Sequence, residues 1–140
     1  RLVGSEMCIR DRNIEKYVSV IEKNSPVTVE QYRERLLGKL NEVLGSSGID
    51  ESRILTEAAI FADKIAVDEE TVRLRSHISQ LRQMLETGSP IGRKIDFLLQ
   101  EFNREANTTG SKCQNSDIAH TVVDLKSEIE KIREQIQNIE

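Results

Sequence analysis

Apolar residues recur along this chain at intervals of three and four, and no stretch alternates at intervals of two. That period lays side chains along one face of a helix, so the expected fold is all-α, with five to six helices and a long heptad-patterned helix at the C-terminus. Ile14, Tyr17, Val18 and Ile21 make a short amphipathic helix that should end near Asn24-Ser25-Pro26, because proline lacks the N–H a helix interior needs. Thr28 with Gln31 reads as a capping box for a second helix, which buries Tyr32, Leu36, Leu40, Val43 and Leu44 until Gly45-Ser46-Ser47-Gly48 stops it. Asp50 caps a third, whose packing face is Ile54, Leu55, Ala58, Ala59, Ala62 and Ile65. Asp68 caps a fourth, with Glu69 and Glu70 in the first turn where the helix dipole favours them and an apolar stripe of Leu74, Ile78, Leu81 and Leu85. Ser89-Pro90 opens a fifth along Ile91, Ile95, Leu98, Leu99, Phe102 and Ala106. It is expected to fray at Asn107-Thr108-Thr109-Gly110, leaving Ser111 and Lys112 in a loop. From Ser116 or Asp117 onward, Ile118, Val122, Leu125, Ile129, Ile132, Ile136 and Ile139 alternate steps of four and three as a heptad seam.

Residues 1–12, RLVGSEMCIRDR, depart from this pattern. They resemble a translated sequencing-adapter artefact and are expected to be disordered. Too short and too charged for a secretory leader, they stand apart from connecting helices over 13–48 and a helical domain over 49–140. The net charge of -4 excludes a broadly basic nucleic-acid surface, so any RNA contact has to be a local patch. No apolar run reaches the roughly 18 residues of a membrane span. Cys8 and Cys113 lie far apart with no metal-ligand spacing, which fits free thiols in a cytoplasmic protein.

The fifth helix is the unusual one. One flank carries Asp96, Gln100, Asn103 and Asn107 with Arg93 and Arg104 close by, and the other carries Lys94, Glu101 and Glu105. Asparagine is a poor helix former, so these amides cost stability without a packing return, and they suit hydrogen bonding to bases and 2′-hydroxyls. Glu101 and Glu105, four apart, can share a divalent cation or form a solvated face. On the helix before it, Glu70, Arg73 and His77 lie at spacings of three and four. A histidine beside a carboxylate can act as general base or acid near neutral pH, or be a boundary residue in a surface ion pair. Ser111 and Lys112 can meet a phosphate, and no glycine pattern for nucleotide hydrolysis is present.

The segments GRKIDFLLQEFNREANTTGSK (92–112), DEETVRLRSH (68–77) and KSEIEKIREQIQNIE (126–140) together resemble the C-terminal domain of the YicC/YloC family of bacterial endoribonucleases, in the order that family has them. The resemblance runs from about Tyr32 onward and finds no counterpart for the family's N-terminal domain. It implies an endoribonuclease acting on RNA phosphodiesters, a divalent cofactor (Mg or Mn) and a homo-oligomer in the form of a hexameric ring. On that basis His77, Glu101 and Glu105 are the catalytic candidates, with Glu101 and Glu105 also the metal ligands. Arg73, Arg93, Lys94, Gln100, Asn103, Arg104, Asn107 and Lys112 are the RNA-binding candidates, supported by Glu70, Asp96 and Ser111. The rival reading is a non-catalytic oligomerisation domain whose polar residues fix subunit register.

Overall fold

A computed structural model describes residues 2–44, 51–87, 92–113 and 115–139. They form five helices: α1 (Leu2–Leu44), α2 (Glu51–Ile65), α3 (Asp68–Thr87), α4 (Gly92–Lys112) and α5 (Ser116–Ile139), with no strand among the described residues. The turn over 45–48, the Asp50 cap and the Ser89-Pro90 start fall outside the described residues.

The apolar stripes meet where their periodicity predicts. Ile14, Val18 and Ile21 of α1, Leu74, Ile78 and Leu81 of α3, Ile95, Leu99 and Phe102 of α4, and the α5 seam from Ile118 to Ile136 enclose one core. The heptads of α5 are therefore spent within the chain, against α1 and α4. Asn115 caps α5, its Oδ1 accepting the N–H groups of Asp117 and Ile118 at 2.7 and 3.3 Å. α2 packs on α1 through Ile54, Ala58, Ala62 and Ile65, while Leu55 and Ala59 point outward. Farther along the same contact Tyr32 stacks on Phe61, 5.0 Å between centroids. Val43, expected in the core, is exposed.

Three expectations are corrected. The first two helices are one: α1 runs through Pro26. Ring closure forfeits a backbone hydrogen bond, yet the helix is fastened on both sides of it. Ile21 and Ser25 are buried before it, and Thr28 after it is buried and accepts a hydrogen bond from Asn115 Nδ2 at 2.8 Å. Pro26 itself faces solvent. Residues 2–12, expected disordered, are the first turns of α1: Met7 joins the core and Arg82 of α3 reaches Asp11 at 2.5 Å. Farther along, Arg75 ties α3 to Glu22 and Ser19 of α1, and its hydrogen bonds hold the Glu22 carboxyl below the usual carboxylate range. Third, α4 does not fray at Asn107 but continues through Lys112. Thr108, Thr109 and Ser111 donate their hydroxyls to the carbonyls of Arg104, Glu105 and Asn107 at 3.0, 2.8 and 3.0 Å. Those hydroxyls turn back onto the helix instead of competing with it. At Gly110 an added Cβ would meet Val122 at 3.4 Å, so this last stretch lies close against α5.

Candidate active site

α3 and α4 lie antiparallel, since Glu70 meets Lys112, Arg73 meets Glu105 and His77 meets Phe102. Along one edge of that contact their polar flanks face each other. Arg73, His77, Glu101, Arg104, Glu105 and Thr108 line a cleft of about 370 Å³. The helical repeat explains the set. Arg73 and His77 are four apart on α3, and Glu101, Arg104, Glu105 and Thr108 recur at threes and fours on α4.

Within the cleft, Arg73 lies 3.6 Å from Glu105 and 3.5 Å from Glu69 of its own helix. Glu105 is 7% exposed, so this guanidinium is what compensates its burial. Glu101 is half-exposed and Arg104 exposed, opening the cleft to solvent. His77 packs edge-on against Phe102, centroids 5.5 Å apart, and neither ring nitrogen has a hydrogen-bond partner. Burial pushes its pKa down, with Arg73 adding to that, while the carboxylates of Glu105 and Glu101 pull it back up. The net direction is downward, so His77 is a neutral imidazole near neutral pH, with a free lone pair for a proton.

One turn nearer the start of α3, Glu70 is 2% exposed and accepts a hydrogen bond from Lys112 Nζ at 2.8 Å through Oε1, while Oε2 has no partner. Lys112 is thus engaged in an ion pair on a helix end, where sequence reasoning expects it in a loop. Ser111, expected in the same loop, lies exposed in that last turn. Of the remaining candidates, Arg93, Lys94, Gln100 and Asn107 are exposed on α4 outside the cleft lining, and Asp96 and Asn103 are half-buried outside it. Thr108 is the residue that sequence reasoning missed. Its signal was its spacing, four after Arg104 and seven after Glu101, overridden by the expected fraying.

Among the described residues no three His, Cys, Asp or Glu side chains converge as a ligand set for a metal ion. Glu101 and Glu105 are the carboxylates of the cleft, and Glu105 is already engaged by Arg73. A cation between them would need further ligands from outside these residues. The chain's own side chains offer a proton acceptor, two guanidiniums for a phosphate, two carboxylates and a hydroxyl.

Comparison with known proteins places these residues in a family context. A family model described as "Endoribonuclease YicC-like, C-terminal" matches residues 21–140. A protein of Clostridioides difficile (strain 630) named "Probable endoribonuclease YicC" is 49% identical over 139 residues, which are 99% of this chain and 47% of that protein. A protein of the same name from Haemophilus influenzae (strain ATCC 51907 / DSM 11121 / KW20 / Rd) is 40% identical over 120 residues, 86% of this chain and 41% of that protein. The chain thus spans less than half the length of these relatives.

Proposed function

The chain belongs to the YicC-like endoribonuclease family, matching its C-terminal domain, and on that premise we propose that its α3–α4 cleft is where RNA phosphodiester bonds are cut. The observation that carries the reading is the convergence of His77, Arg73, Glu101, Arg104 and Glu105, from two helices, on one solvent-open cleft. Phosphodiester cleavage needs a proton acceptor for the attacking water or 2′-hydroxyl, positive charge for the phosphorane that forms, and a proton, available from solvent in this open cleft, for the leaving oxygen. Neutral His77 takes the proton. Arg104, which makes no ion pair among the described residues, and Arg73 take the phosphate. Glu105 holds Arg73 in the cleft, and Thr108 adds a hydroxyl at its edge. Both His77 nitrogens are buried and unpartnered, so a turn of the ring toward the cleft brings one of them to substrate.

A divalent cation, Mg or Mn, remains part of this proposal for the whole protein. Glu101 and Glu105 would be its ligands from this chain, and bound there it would neutralise charge on the phosphate. Because that pair is an incomplete donor set, no step is assigned to it. A homo-oligomeric ring belongs to the same reading, supported by the exposed apolar side chains Leu55 and Ile60 on α2 and Val123 on α5. No described helix is long and apolar enough to cross a membrane.

The register-network reading draws on the deep burial of Glu70 and Glu105, each paired with a cation nearer the surface. Kinetics on the full-length protein separate the two. His77→Ala should lower cleavage of a structured RNA by about 10²–10⁴-fold, and Glu101→Gln should remove it while leaving helicity and assembly mass unchanged. Arg104→Ala should raise KM in a salt-dependent way. Normal cutting by His77→Ala and Glu101→Gln together would remove the cleft from catalysis. Loss of assembly in Glu105→Gln with cleavage intact would favour the register network.

A further inference from the structure

α4 shows solvent a face unlike that of any other helix. Arg93, Phe97, Gln100, Arg104, Asn107 and Ser111, spaced by four and three, make one exposed stripe along nearly its whole length. With the neighbouring exposed Lys94 it carries three cations, and its fully exposed positions include no carboxylate. The acids of α4 border it less exposed: Glu101, between Phe97 and Lys94, and Asp96, on the other side, are half-buried, and Glu105 is buried. Each of the other four helices exposes acid, for example Glu34 on α1, Glu57 on α2, Glu69 on α3 and Asp124 on α5. In a chain of net charge -4, a face with three fully exposed cations and no fully exposed acid is a local positive track. Among the described residues the side chains of Arg93, Gln100, Arg104 and Asn107 make no hydrogen bond or ion pair, so their donors are free.

Phe97 lies in the middle of that track and is 68% exposed. Of the chain's aromatic side chains, Tyr17, Tyr32 and Phe61 are half-buried and Phe102 is buried, so Phe97 alone stands in solvent. It is not part of the hydrophobic core cluster. It is flanked at i-4 and i-3 by Arg93 and Lys94 and at i+3 and i+4 by Gln100 and Glu101. Arg104, two turns or roughly 10 Å farther along the helix, belongs to both the track and the cleft.

We propose that Phe97 is a stacking platform for an unpaired base of RNA, the α4 stripe guiding a single strand toward the cleft. The proposal rests on the endoribonuclease reading for its substrate class and adds a residue and a strand preference to it. An aromatic face takes any base, guanidiniums and an ammonium beside it take the backbone, and amides take base edges. That combination is how sequence-tolerant single-strand sites are built. In a duplex the bases are stacked on one another and are not free for Phe97. A purely apolar partner would leave Arg93, Gln100 and Arg104 desolvated without partners, which is why the occupant is a nucleic acid strand and not another apolar helix.

The chain contains no tryptophan, so Phe97→Trp installs a single reporter at an exposed position where the fold is not at stake. Its fluorescence should be quenched saturably by a short oligoadenylate and much less by an abasic oligomer of equal length and charge. In anisotropy titrations, Phe97→Ala and Phe97→Leu should each weaken oligoadenylate binding by about tenfold, and Phe97→Tyr should restore it. Binding without quenching, or full affinity in Phe97→Leu, overturns stacking. Blue-shifted emission of Phe97→Trp without RNA, together with a lower assembly mass for Phe97→Asp, shows a second copy on this face and overturns it as well. Failure of the endoribonuclease reading is separate: quenching would persist while His77→Ala and Glu101→Gln cut RNA normally.

Discussion

At the residue scale, His77 stands in a costly setting. Two buried ring nitrogens without partners cost stability, and burial holds the group neutral. Its folded pKa lies below the ordinary histidine value, so the unfolded chain binds the proton more readily. The associated stability is complete above about pH 6.5 and is lost as pH falls through the folded pKa. His77→Phe keeps a ring against Phe102 and deletes both nitrogens. It should gain about 1 kcal/mol in urea unfolding at neutral pH and show a flatter loss of stability toward pH 5 than the parent, while abolishing cleavage. A destabilised variant with an unchanged pH profile would mean that the nitrogens cost nothing. Glu105 and Arg73 illustrate the same scale from the other side: a carboxylate 7% exposed persists because a guanidinium lies 3.6 Å away.

For the elements, the instructive cases are the two places where local preference lost. Pro26 in an isolated peptide would end a helix, and glycine and β-branched residues near position 110 would loosen one. In α1 the helix continues because residues on both sides of Pro26 are anchored in separate contacts, the bundle core through Ile21 and Asn115 through Thr28. The cost of the proline is still carried. Pro26→Ala, at an exposed position, should raise stability by about 2–3 kcal/mol, read as a higher urea midpoint at unchanged m. No shift would show that α1 is bent or broken there in solution. In α4 the hydroxyls of Thr108, Thr109 and Ser111 bond back to their own helix, and Thr109 is fully buried, so the last turn is held by packing. This matters for the site, since Thr108 and Lys112 keep their places only while that turn is helical.

Across the whole molecule, stability concentrates on the seam where α5 meets α1 and α4. Ile129 is fully buried there, in the middle of the heptad run. Ile129→Asp places a carboxylate in an apolar contact and should cost on the order of 4 kcal/mol, through lost apolar burial and a desolvated polar group. For a chain of this size that is a large part of the total, so circular dichroism should show a clearly lowered midpoint and thiol reagents should reach Cys113, now half-buried against the core, far faster. An unaltered midpoint would mean that the seam does not hold the bundle. α2 contributes differently. It packs on α1 beyond the shared core, so changes there should leave the cleft geometry intact.

Sequence by itself determined the helical class, the faces of each helix and the grouping of candidate residues on them. A period of three and four is a property of the backbone, and burying one stripe per helix is the largest favourable term available to the chain. It thereby put Arg73 with His77, and Glu101 with Glu105, while assigning Arg104 to the other flank of its helix. Tertiary structure decided which faces meet and where helices end. Antiparallel docking of α3 on α4 joined the two groups into one cleft with Arg104, paired Lys112 with Glu70, and left Phe97 outside the core. Docking also carried α1 through Pro26 and α4 through Gly110. Those outcomes depend on contacts between residues tens of positions apart, whose energies exceed the local preferences of one to three residues from which a helix end is read.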